Sequence, residues 1–292
     1  MKLPFAFPPT LPDLEPPHWS GEAFVVGDQR RPVLEYSENF AGWSDDLTTL
    51  HEAAVGHHHP IDVASRANAL AQISQLVSKP DAVIVEIGCS SGFLLAELVE
   101  AFPTVTVVGA DVVKEPLYRL AENLPGVPLI RFDLLRCPLP EQIADVIVML
   151  NVLEHIEDDV AALKNVFNLL KPGGHLVIEV PAGPHLYDSY DAELCHFRRY
   201  SASELQQKIE KVGFTVVRRS HLGFILYPAF CAVKLINKWR LRRKNTSLVG
   251  DQASRTSASL WVRLAMKLES SYLINISLPF GIRALAVAQR PK

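Results

Sequence analysis

One short segment, residues 83–95, constrains the fold of this chain more than any other. It reads VIVEIGCSSGFLL, an apolar β-branched run that ends in Glu86, a turn that carries Gly88 and Gly92, and the start of a helical pattern. Such a run is typical of a strand buried on both faces of a parallel sheet. Glycines let a ligand approach the backbone, and a helix N-terminus offers free N–H groups. The segment therefore predicts a ligand site at the end of a buried strand.

Two well-known glycine-rich loops can be tested against this segment. A dinucleotide-binding fingerprint needs glycine where Ser90 and Phe93 stand. A P-loop needs Gly-Lys-Ser or Gly-Lys-Thr at the start of the helix, and the sequence has no such triplet there. Both of these loop types are excluded.

The rest of the chain alternates strand-like and helix-like segments. The strand-like runs are 82–87, 105–110, 128–132, 144–150, 175–180, 214–219 and 283–288. The helical patterns are 62–78, with Asp62 as N-cap, 93–102, 115–123, 158–170, and 201–213, with Ser201 and Glu204 as a capping box. Residues 1–35 are expected to be irregular, with a Pro-rich arm at the start. Strands that alternate with helices at this spacing predict an α/β fold with a parallel sheet.

The glycine-bearing turn resembles motif I of the class I S-adenosylmethionine-dependent methyltransferases, Glu/Asp-x-Gly-x-Gly-x-Gly. Ser90 stands at the middle glycine, where its hydroxyl could hydrogen-bond the carboxylate of a ligand. The resemblance covers roughly 60–220 and 281–290, and its further pieces follow in the family's order. They are Asp111 after the second strand, Asp133 after the third, Asn151-Val-Leu-Glu154-His155 after the fourth, and residues 169–177 leading into the fifth.

This resemblance implies a Rossmann-like class I methyltransferase fold, whose seven-stranded, mostly parallel sheet has one antiparallel strand, 283–288. The family normally has a tight hairpin before that strand, whereas here residues 222–280 intervene and are expected to form a helical insertion. It also implies S-adenosyl-L-methionine as cofactor and S-adenosyl-L-homocysteine as product. In the family, an acid at the place of Asp111 holds the ribose hydroxyls, and one at the place of Asp133 accepts from the adenine amino group. The expected cofactor-binding residues are Glu86, Gly88, Cys89, Ser90, Gly92, Asp111, Val112, Phe132, Asp133, Leu134 and Asn151.

The methyl acceptor is expected beside residues 188–201. This run resembles a subgroup of bacterial class I methyltransferases that carries His-x-Arg-Arg-Tyr before the same helix. Ligands of open parallel sheets bind at the C-terminal ends of the strands, where this loop must lie. Asp191, Arg198 and Tyr200 are the expected acceptor-binding residues. Arg198 is equally compatible with a surface salt bridge or a helix-docking contact, and Tyr200 with an anchor in the core.

A hydroxyl acceptor needs a base that titrates near neutral pH, and histidine is the usual one. His155 and His196 are the candidate catalytic residues; for His155 a structural role at a helix start is the alternative. Ubiquinone-pathway and small-RNA O-methyltransferases carry a Glu-x-x-Glu-His metal box after strand four. Here Asn151 replaces its first Glu, so we expect no metal, with Glu154, His155 and His196 as the ligands should one bind. The run 57–59 of three histidines favours a polar loop or helix end over a metal site.

Three parts of the chain are expected: an N-terminal arm and helical cap (1–58), a cofactor-binding core (59–221 plus 281–292), and a helical lid or insertion (222–280). The insertion carries an apolar stretch, 222–239, followed by basic residues, and an amphipathic stretch, 258–278. One interpretation is a lid whose apolar face packs on the core and that roofs the acceptor pocket. The other is an interfacial helix, with 222–244 in peripheral contact with an anionic membrane.

Composition narrows the partners and the location. With 29 basic and 32 acidic residues the net charge is −3, so we expect no nucleic-acid partner. Four cysteines form no Cys-x-x-Cys pair, which argues against a disulfide scaffold or zinc ribbon and fits a reducing compartment. The N-terminus does not read as a signal peptide. The expected location is cytoplasmic, either free or at the membrane periphery.

The expected activity is O-methylation of a small-molecule, glycan or lipid-linked acceptor. An N- or C-methyltransferase and a non-catalytic cofactor-binding partner subunit are the alternatives.

Overall fold

The computed structural model describes residues 3–11, 13–36, 44–48, 58–240 and 259–292. Parts of three predicted features lie outside these residues. They are His57 of the histidine run, much of the proposed helical cap before residue 58, and the basic cluster that follows Arg240. The three-part division of the chain stays a prediction.

The core of the molecule is a mostly parallel sheet. Its strands, in chain order, are β4 (Val33–Glu35), β5 (Val83–Ile87), β6 (Thr106–Asp111), β7 (Leu129–Arg131), β8 (Ala144–Leu150), β9 (Leu170–Pro181), β10 (Thr215–Leu222) and β11 (Arg283–Gln289). Their order across the sheet is β10-β11-β9-β8-β5-β6-β7-β4. Strand β11 is antiparallel to both of its neighbours, β10 and β9, and the other pairs are parallel. The parallel sheet and its one antiparallel strand are thereby confirmed.

The sheet has eight strands where the sequence predicted seven. The additional strand, β4, comes from the segment that was expected to be irregular, and it pairs in parallel with β7 at the sheet edge. Val33 and Leu34 are completely buried there. A run of two apolar residues is too short to show a strand pattern. Their burial depends on pairing with β7, residues 129–131, which the local sequence does not reveal.

Helices cover both faces of the sheet. They are α1 (Pro60–Leu76), α2 (Phe93–Ala101), α3 (Glu115–Asn123), α4 (Asp159–Leu169), α5 (Ser189–Glu193), α6 (Ala202–Lys211), α7 (Tyr227–Arg240) and α8 (Leu260–Leu268). Because successive strand residues point to opposite faces, Val83, Val85 and Ile87 pack in one apolar cluster with α4 and α6. Ile84 packs in the other cluster, with α1, α2 and α3.

The N-terminal arm is ordered against the first of these clusters. Strands β1 (His18–Trp19), β2 (Phe24–Val26) and β3 (Gln29–Arg31) form a small antiparallel sheet. The ring of Phe24 lies 5.3 Å from that of Phe7 and 4.8 Å from that of Trp19, and all three residues are buried. The expectation that residues 1–35 are irregular is therefore wrong. The segment has no periodic apolar pattern that would predict strands, because its buried apolar surface comes from aromatic residues that are widely spaced in the sequence.

Several element ends also differ from the prediction. Helix α1 begins at Pro60 with His59 as N-cap, and Asp62 instead pairs with Arg283 and His59. Strand β9 begins at Leu170, ahead of the Pro-Gly-Gly segment that was expected to separate it from α4. Ser201 does cap α6, since its Oγ accepts from the backbone N–H of Glu204 at 3.1 Å. The reciprocal capping box is formed at α5 instead.

The insertion folds back onto the core. Helix α8 and the π-helical turn Glu269–Leu273 that follows it pack beside α1, where Met266 joins Ile61, Ala64 and Leu222 in a third apolar cluster. Among the described residues, no helix combines the length and the apolar character that a membrane crossing requires.

Candidate functional site

The turn after β5 is closely packed and needs its glycines. Gly88 has φ 83° and Gly92 has φ 76°, in the left-handed region that favours glycine. A Cβ on Gly88 would overlap the side chain of Val152, and one on Gly92 would overlap that of Leu120. Ser90, at the position of the family's middle glycine, also has a positive φ of 47°. The backbone therefore keeps the shape that the glycine motif specifies, although one of its glycines is replaced.

Asp111, at the end of β6, joins this turn to the next one. Its Oδ2 accepts from the backbone N–H of Ser90 at 2.7 Å. Its Oδ1 accepts from Val112 N–H at 2.7 Å and from Val113 N–H at 3.2 Å. Burial raises the pKa of Asp111 above its ordinary value although these bonds act to lower it. The predicted cofactor residues Ser90, Asp111 and Val112 thus meet in one hydrogen-bonded group.

The other predicted cofactor residues surround that group. Glu86 is buried, and burial together with the charge of Asp111 raises its pKa well above the usual range. Cys89 is buried beneath the turn, with its N–H bonded to Ala110 O at 3.2 Å. Burial raises the pKa of the Cys89 thiol well above its usual range, so the thiol stays protonated at neutral pH.

Strand β7 contributes the last part of the predicted cofactor site. Phe132 N–H donates to Asp111 O at 3.0 Å, and both Phe132 and Leu134 are buried. Asp133 caps the short 3₁₀ turn Leu134–Arg136, with its Oδ1 accepting from Leu135 N–H at 2.8 Å. The ends of β5, β6 and β7 therefore bring together the glycine turn and both predicted acids at one edge of the sheet.

The segment after β8 carries an unusual carboxyl group. Glu154 is completely buried, and neither of its carboxylate oxygens has a hydrogen-bond partner among the described residues. Burial raises its pKa to about 8, far above the ordinary value of 4.5. Asn151, with φ 54°, lies at the start of this segment and donates from its N–H to Glu179 O at 2.9 Å. A buried carboxyl that is mainly neutral at pH 7, and that no described residue hydrogen-bonds, is a strong candidate for contact with a bound group.

Asp191 is the centre of a buried ionic cluster on the loop after β9. It is completely buried and accepts from His196 Nδ1 at 3.0 Å, from Arg199 Nε at 2.8 Å and from Lys234 Nζ at 3.2 Å. Burial acts to raise its pKa, but hydrogen bonds from His196 and Arg199 and the charges of Arg199 and Lys234 lower it below the usual range. Asp191 is therefore ionised at neutral pH.

His196 is held by this carboxylate. Burial lowers the pKa of His196 below its ordinary value, although the bond to Asp191 acts to raise it. At neutral pH the imidazole is therefore neutral. The ionised carboxylate of Asp191 can only accept a hydrogen bond, so Nδ1 of His196 must carry the proton in this contact. In that tautomer Nε2 has a free lone pair.

The three candidate metal ligands lie together. The rings of His155 and His196 meet edge to face, with centroids 4.7 Å apart. One ligand atom from each of Glu154, His155 and His196 lies within 4.8 Å of the others. The chain thus brings both candidate bases and the buried carboxyl into one cluster, although 41 positions separate His155 from His196.

Arg198 and Tyr200 make other contacts than those expected. Arg198 donates to Asp159 Oδ2 at 2.7 Å and to Glu157 O at 2.7 Å, at the start of α4. Tyr200 is completely buried and donates to Asp159 Oδ2 at 2.9 Å. These bonds fit the two alternatives, a helix-docking contact for Arg198 and a core anchor for Tyr200, and acceptor binding by either residue stays a prediction.

Sequence reasoning missed two members of the site. Lys234 lies in the stretch 222–239, which was described only as apolar, yet its Nζ is buried and donates to Asp188 Oδ1 at 2.7 Å as well as to Asp191. Glu179, completely buried in β9, accepts from Ser65 Oγ at 2.5 Å and Arg283 Nη1 at 2.8 Å. A single charged residue inside an apolar run is the signal that could have marked either one.

A class I S-adenosylmethionine-dependent methyltransferase is defined by the features described above. They are a mostly parallel sheet with helices on both faces, the antiparallel strand β11, the glycine turn and the acid at the end of β6. The family model for the methyltransferase domain matches residues 61–219, more than half of the chain. The chain belongs to this family.

Known relatives agree with this assignment. A protein of Mycolicibacterium smegmatis described as "Probable S-adenosylmethionine-dependent methyltransferase" is 28% identical over 138 residues, which cover 46% of this chain and 52% of that protein. The trans-aconitate 2-methyltransferase of Azoarcus sp. is 35% identical over 100 residues, 34% of this chain and 39% of that protein. The chain therefore spans about half, or less, of the length of these two curated relatives.

Among solved structures, the cyclase SpnF has the same fold. The match has a TM-score of 0.56 and 16% identity, and it covers 84% of this chain and 93% of that chain. At this level of identity the likeness concerns the fold alone.

Proposed function

We propose that this protein transfers a methyl group from S-adenosyl-L-methionine to a hydroxyl oxygen of a small-molecule, glycan or lipid-linked acceptor. One observation carries the proposal. His196, neutral and oriented by the buried carboxylate of Asp191, lies against His155 and Glu154 at the C-terminal edge of the sheet, where ligands of such sheets bind. A base oriented in this way is what an acceptor with a removable proton requires.

The residues at the ends of β5 and β6 fit the cofactor. Gly88 and Gly92 have a positive φ, and Val152 and Leu120 leave no room for a side chain beside them, so the turn keeps the backbone shape of motif I. Asp111 presents a carboxylate beside that turn, and carboxylates accept hydrogen bonds from paired hydroxyls. When bound, S-adenosyl-L-methionine supplies an electrophilic methyl group on a sulfonium.

Because the methyl donor is already reactive, the chain's main tasks are to orient the acceptor and to remove its proton. In the proposed mechanism the Nε2 lone pair of His196 accepts the hydroxyl proton. Asp191 holds the ring through Nδ1 and stabilises the imidazolium that forms, as a carboxylate does in other His-carboxylate pairs. Residues 227–240 of the insertion contribute Lys234, which holds Asp188 and Asp191 in place.

A carboxylate acceptor is a second candidate, favoured by the likeness to a trans-aconitate 2-methyltransferase. Such an acceptor is already deprotonated and needs no base. Loss of His196 would then leave the rate of transfer largely unchanged, which separates this candidate from the hydroxyl acceptor.

Metal assistance is the other variant of this mechanism. Glu154, His155 and His196 offer one carboxylate and two imidazoles, a donor set that suits several divalent ions. Asn151 supplies a neutral amide where the metal-binding families carry an acid. Chelation distinguishes the metal-assisted mechanism from the metal-free one. Activity that is lost on chelation and restored by a divalent ion indicates metal dependence, whereas activity that survives prolonged chelation excludes it.

The acceptor can be identified directly. The protein is incubated with methyl-labelled S-adenosyl-L-methionine and a fractionated cell extract, and labelled products are separated and identified by mass. A methyl ether resists mild alkali and a methyl ester does not, so alkali treatment separates the first two candidates. Label that enters no fraction with the wild-type protein would argue against methyl transfer, and a cyclase with this fold shows why the reaction itself must be measured. Asp111→Ala provides the matched negative control.

We further propose that the insertion acts as a lid that sets acceptor choice. Support comes from α7, where Lys234 binds Asp188 and Asp191 and the ring of Phe230 lies 5.5 Å from the guanidinium of Arg199. Lys234→Met should lower the rate of methyl transfer while leaving the affinity for S-adenosyl-L-homocysteine within about twofold, because its contacts lie on the acceptor side. Lys211→Met, at an exposed position on α6, serves as control. Equal rates in the two variants would separate Lys234 from acceptor positioning.

A further inference from the structure

The outward side of the insertion is apolar, and its residues line up. Leu260, Leu264, Leu268, Tyr272 and Ile276 follow one another at intervals of four along α8 and the turns after it, with Trp261 beside them. We call these six residues the outer face. Trp261 is 81% exposed, Leu260 78% and Tyr272 75%. Of the 17 large hydrophobic residues that are exposed in the described parts of the chain, 11 lie in 222–280.

Helix α8 is packed on the core, so the exposure of its outer face is not that of a detached helix. The opposite side of α8 buries Met266 against α1. Ser259 caps the helix by accepting from Val262 N–H at 3.4 Å. Glu269, at the end of α8, is buried and accepts from Gly223 N–H at 2.6 Å. The core contacts therefore fix the orientation of α8 and direct the outer face away from the protein.

The charge of the insertion differs sharply from that of the rest of the chain. Residues 222–280 contain nine Lys or Arg and two acids, a net charge of +7. The whole chain carries −3, so the remainder carries −10. One of the nine bases, Lys234, and one of the two acids, Glu269, are buried, whereas Arg263 and Lys267 on α8 are exposed next to the outer face. An apolar strip beside exposed cations on an otherwise acidic protein favours a negatively charged apolar partner.

We propose that the outer face binds the surface of an anionic lipid bilayer. An interfacial helix of this kind places its aliphatic residues just below the headgroups, its Trp and Tyr at the headgroup level and its basic residues on the lipid phosphates. A second copy of the chain is a poorer match. In a symmetric dimer each strip would face the same strip, and the flanking cations of both copies would repel one another. This inference is independent of the acceptor proposed above.

Vesicle flotation tests the proposal with the whole 292-residue chain. Vesicles of pure phosphatidylcholine are compared with vesicles that also contain phosphatidylglycerol. Wild-type protein should float with the anionic vesicles at low salt and much less with the neutral ones. The double variant Trp261→Ser/Leu264→Ser should lose binding at least about tenfold, since two large apolar side chains no longer enter the interface. Lys267→Glu should weaken binding several-fold and reduce its salt sensitivity.

Val217→Ser is the matched control, because Val217 is 53% exposed on β10, outside the insertion. It should bind the anionic vesicles like the wild type. The proposal is wrong if wild-type protein fails to float with anionic vesicles at low salt, or if the double variant floats as well as the wild type. It is also wrong if sedimentation without lipid reveals a dimer that only the double variant abolishes, since a second copy would then cover the outer face.

Discussion

Replacing Glu154 by glutamine should change how the stability of the protein depends on pH. Glu154 is completely buried, and its carboxylate oxygens have no hydrogen-bond partner among the described residues. Burial raises its pKa to about 8 from an ordinary value of 4.5. The folded protein therefore keeps a proton that the unfolded chain releases over much of the neutral range.

The sign and size of the effect follow from proton linkage. The stabilisation is fully present below the unfolded pKa and is lost as the pH rises through the folded pKa. Between about pH 5 and about pH 7.5, this group should cost the wild-type protein about 3 kcal/mol of unfolding free energy. Glu154→Gln keeps the shape of the side chain but does not titrate. The stability of the variant relative to the wild type should therefore rise by about 3 kcal/mol over this interval.

Urea unfolding of both proteins across this pH range provides the measurement, with Glu122→Gln, at an exposed position on α3, as control. The control should run parallel to the wild type. If the curves for Glu154→Gln and wild type also run parallel, the carboxyl is not protonated in the folded protein and the reasoning about the site fails. A cation bound at Glu154 would favour the ionised carboxylate. If the metal-assisted mechanism is correct, a saturating divalent ion should therefore reduce the pH dependence of the wild-type stability, and otherwise it should not.

Two further predictions concern acidic residues with many partners. Asp111→Ala should weaken binding of S-adenosyl-L-homocysteine by roughly 10- to 150-fold, because a hydrogen bond to a charged group contributes about 1.5–3 kcal/mol; unchanged affinity in calorimetry would remove Asp111 from the site. At Asp159, burial acts to raise the pKa, but hydrogen bonds from Lys208 and Arg198 lower it below the ordinary 3.8. The stabilisation from Asp159 is present above that value and is lost as the pH falls. Asp159→Asn should therefore make the unfolding free energy depend less steeply on pH in acid. An acid dependence as steep as that of the wild type would contradict this.

The central strands could be predicted because each is buried on both faces. Such strands are nearly continuous apolar runs, as in residues 83–87 and 144–150, each with a single acid, and their burial leaves a local signal. Strand β4 and the N-terminal sheet left no such signal. Their strands have two or three residues, and they are stabilised by rings such as Phe7, Trp19 and Phe24 that come from separate parts of the chain.

The same contrast holds for the site. The glycine turn and Asp111 could be recognised because each lies at a strand end, in a motif that is local in the sequence. The cluster around Asp191 depends on Lys234, which lies 43 positions further along the chain and reaches Asp191 only after α7 has packed. Arg198 and Tyr200 were assigned from the same run as His196, but their side chains turn toward Asp159. A sequence run does not specify which side of a loop each residue faces.

The direct test of the central claim is the rate of methyl transfer in a single turnover by His196→Ala, with methyl-labelled S-adenosyl-L-methionine and the extract fraction that contains the acceptor as substrates. If His196 removes the acceptor proton, the rate should fall by roughly 10²–10⁴ while the affinity for S-adenosyl-L-homocysteine stays within about twofold. His155→Ala, measured alongside, shows whether the neighbouring imidazole can take over. Near-wild-type rates in both variants, at equal cofactor affinity, would contradict the claim that this pair of histidines supplies the base.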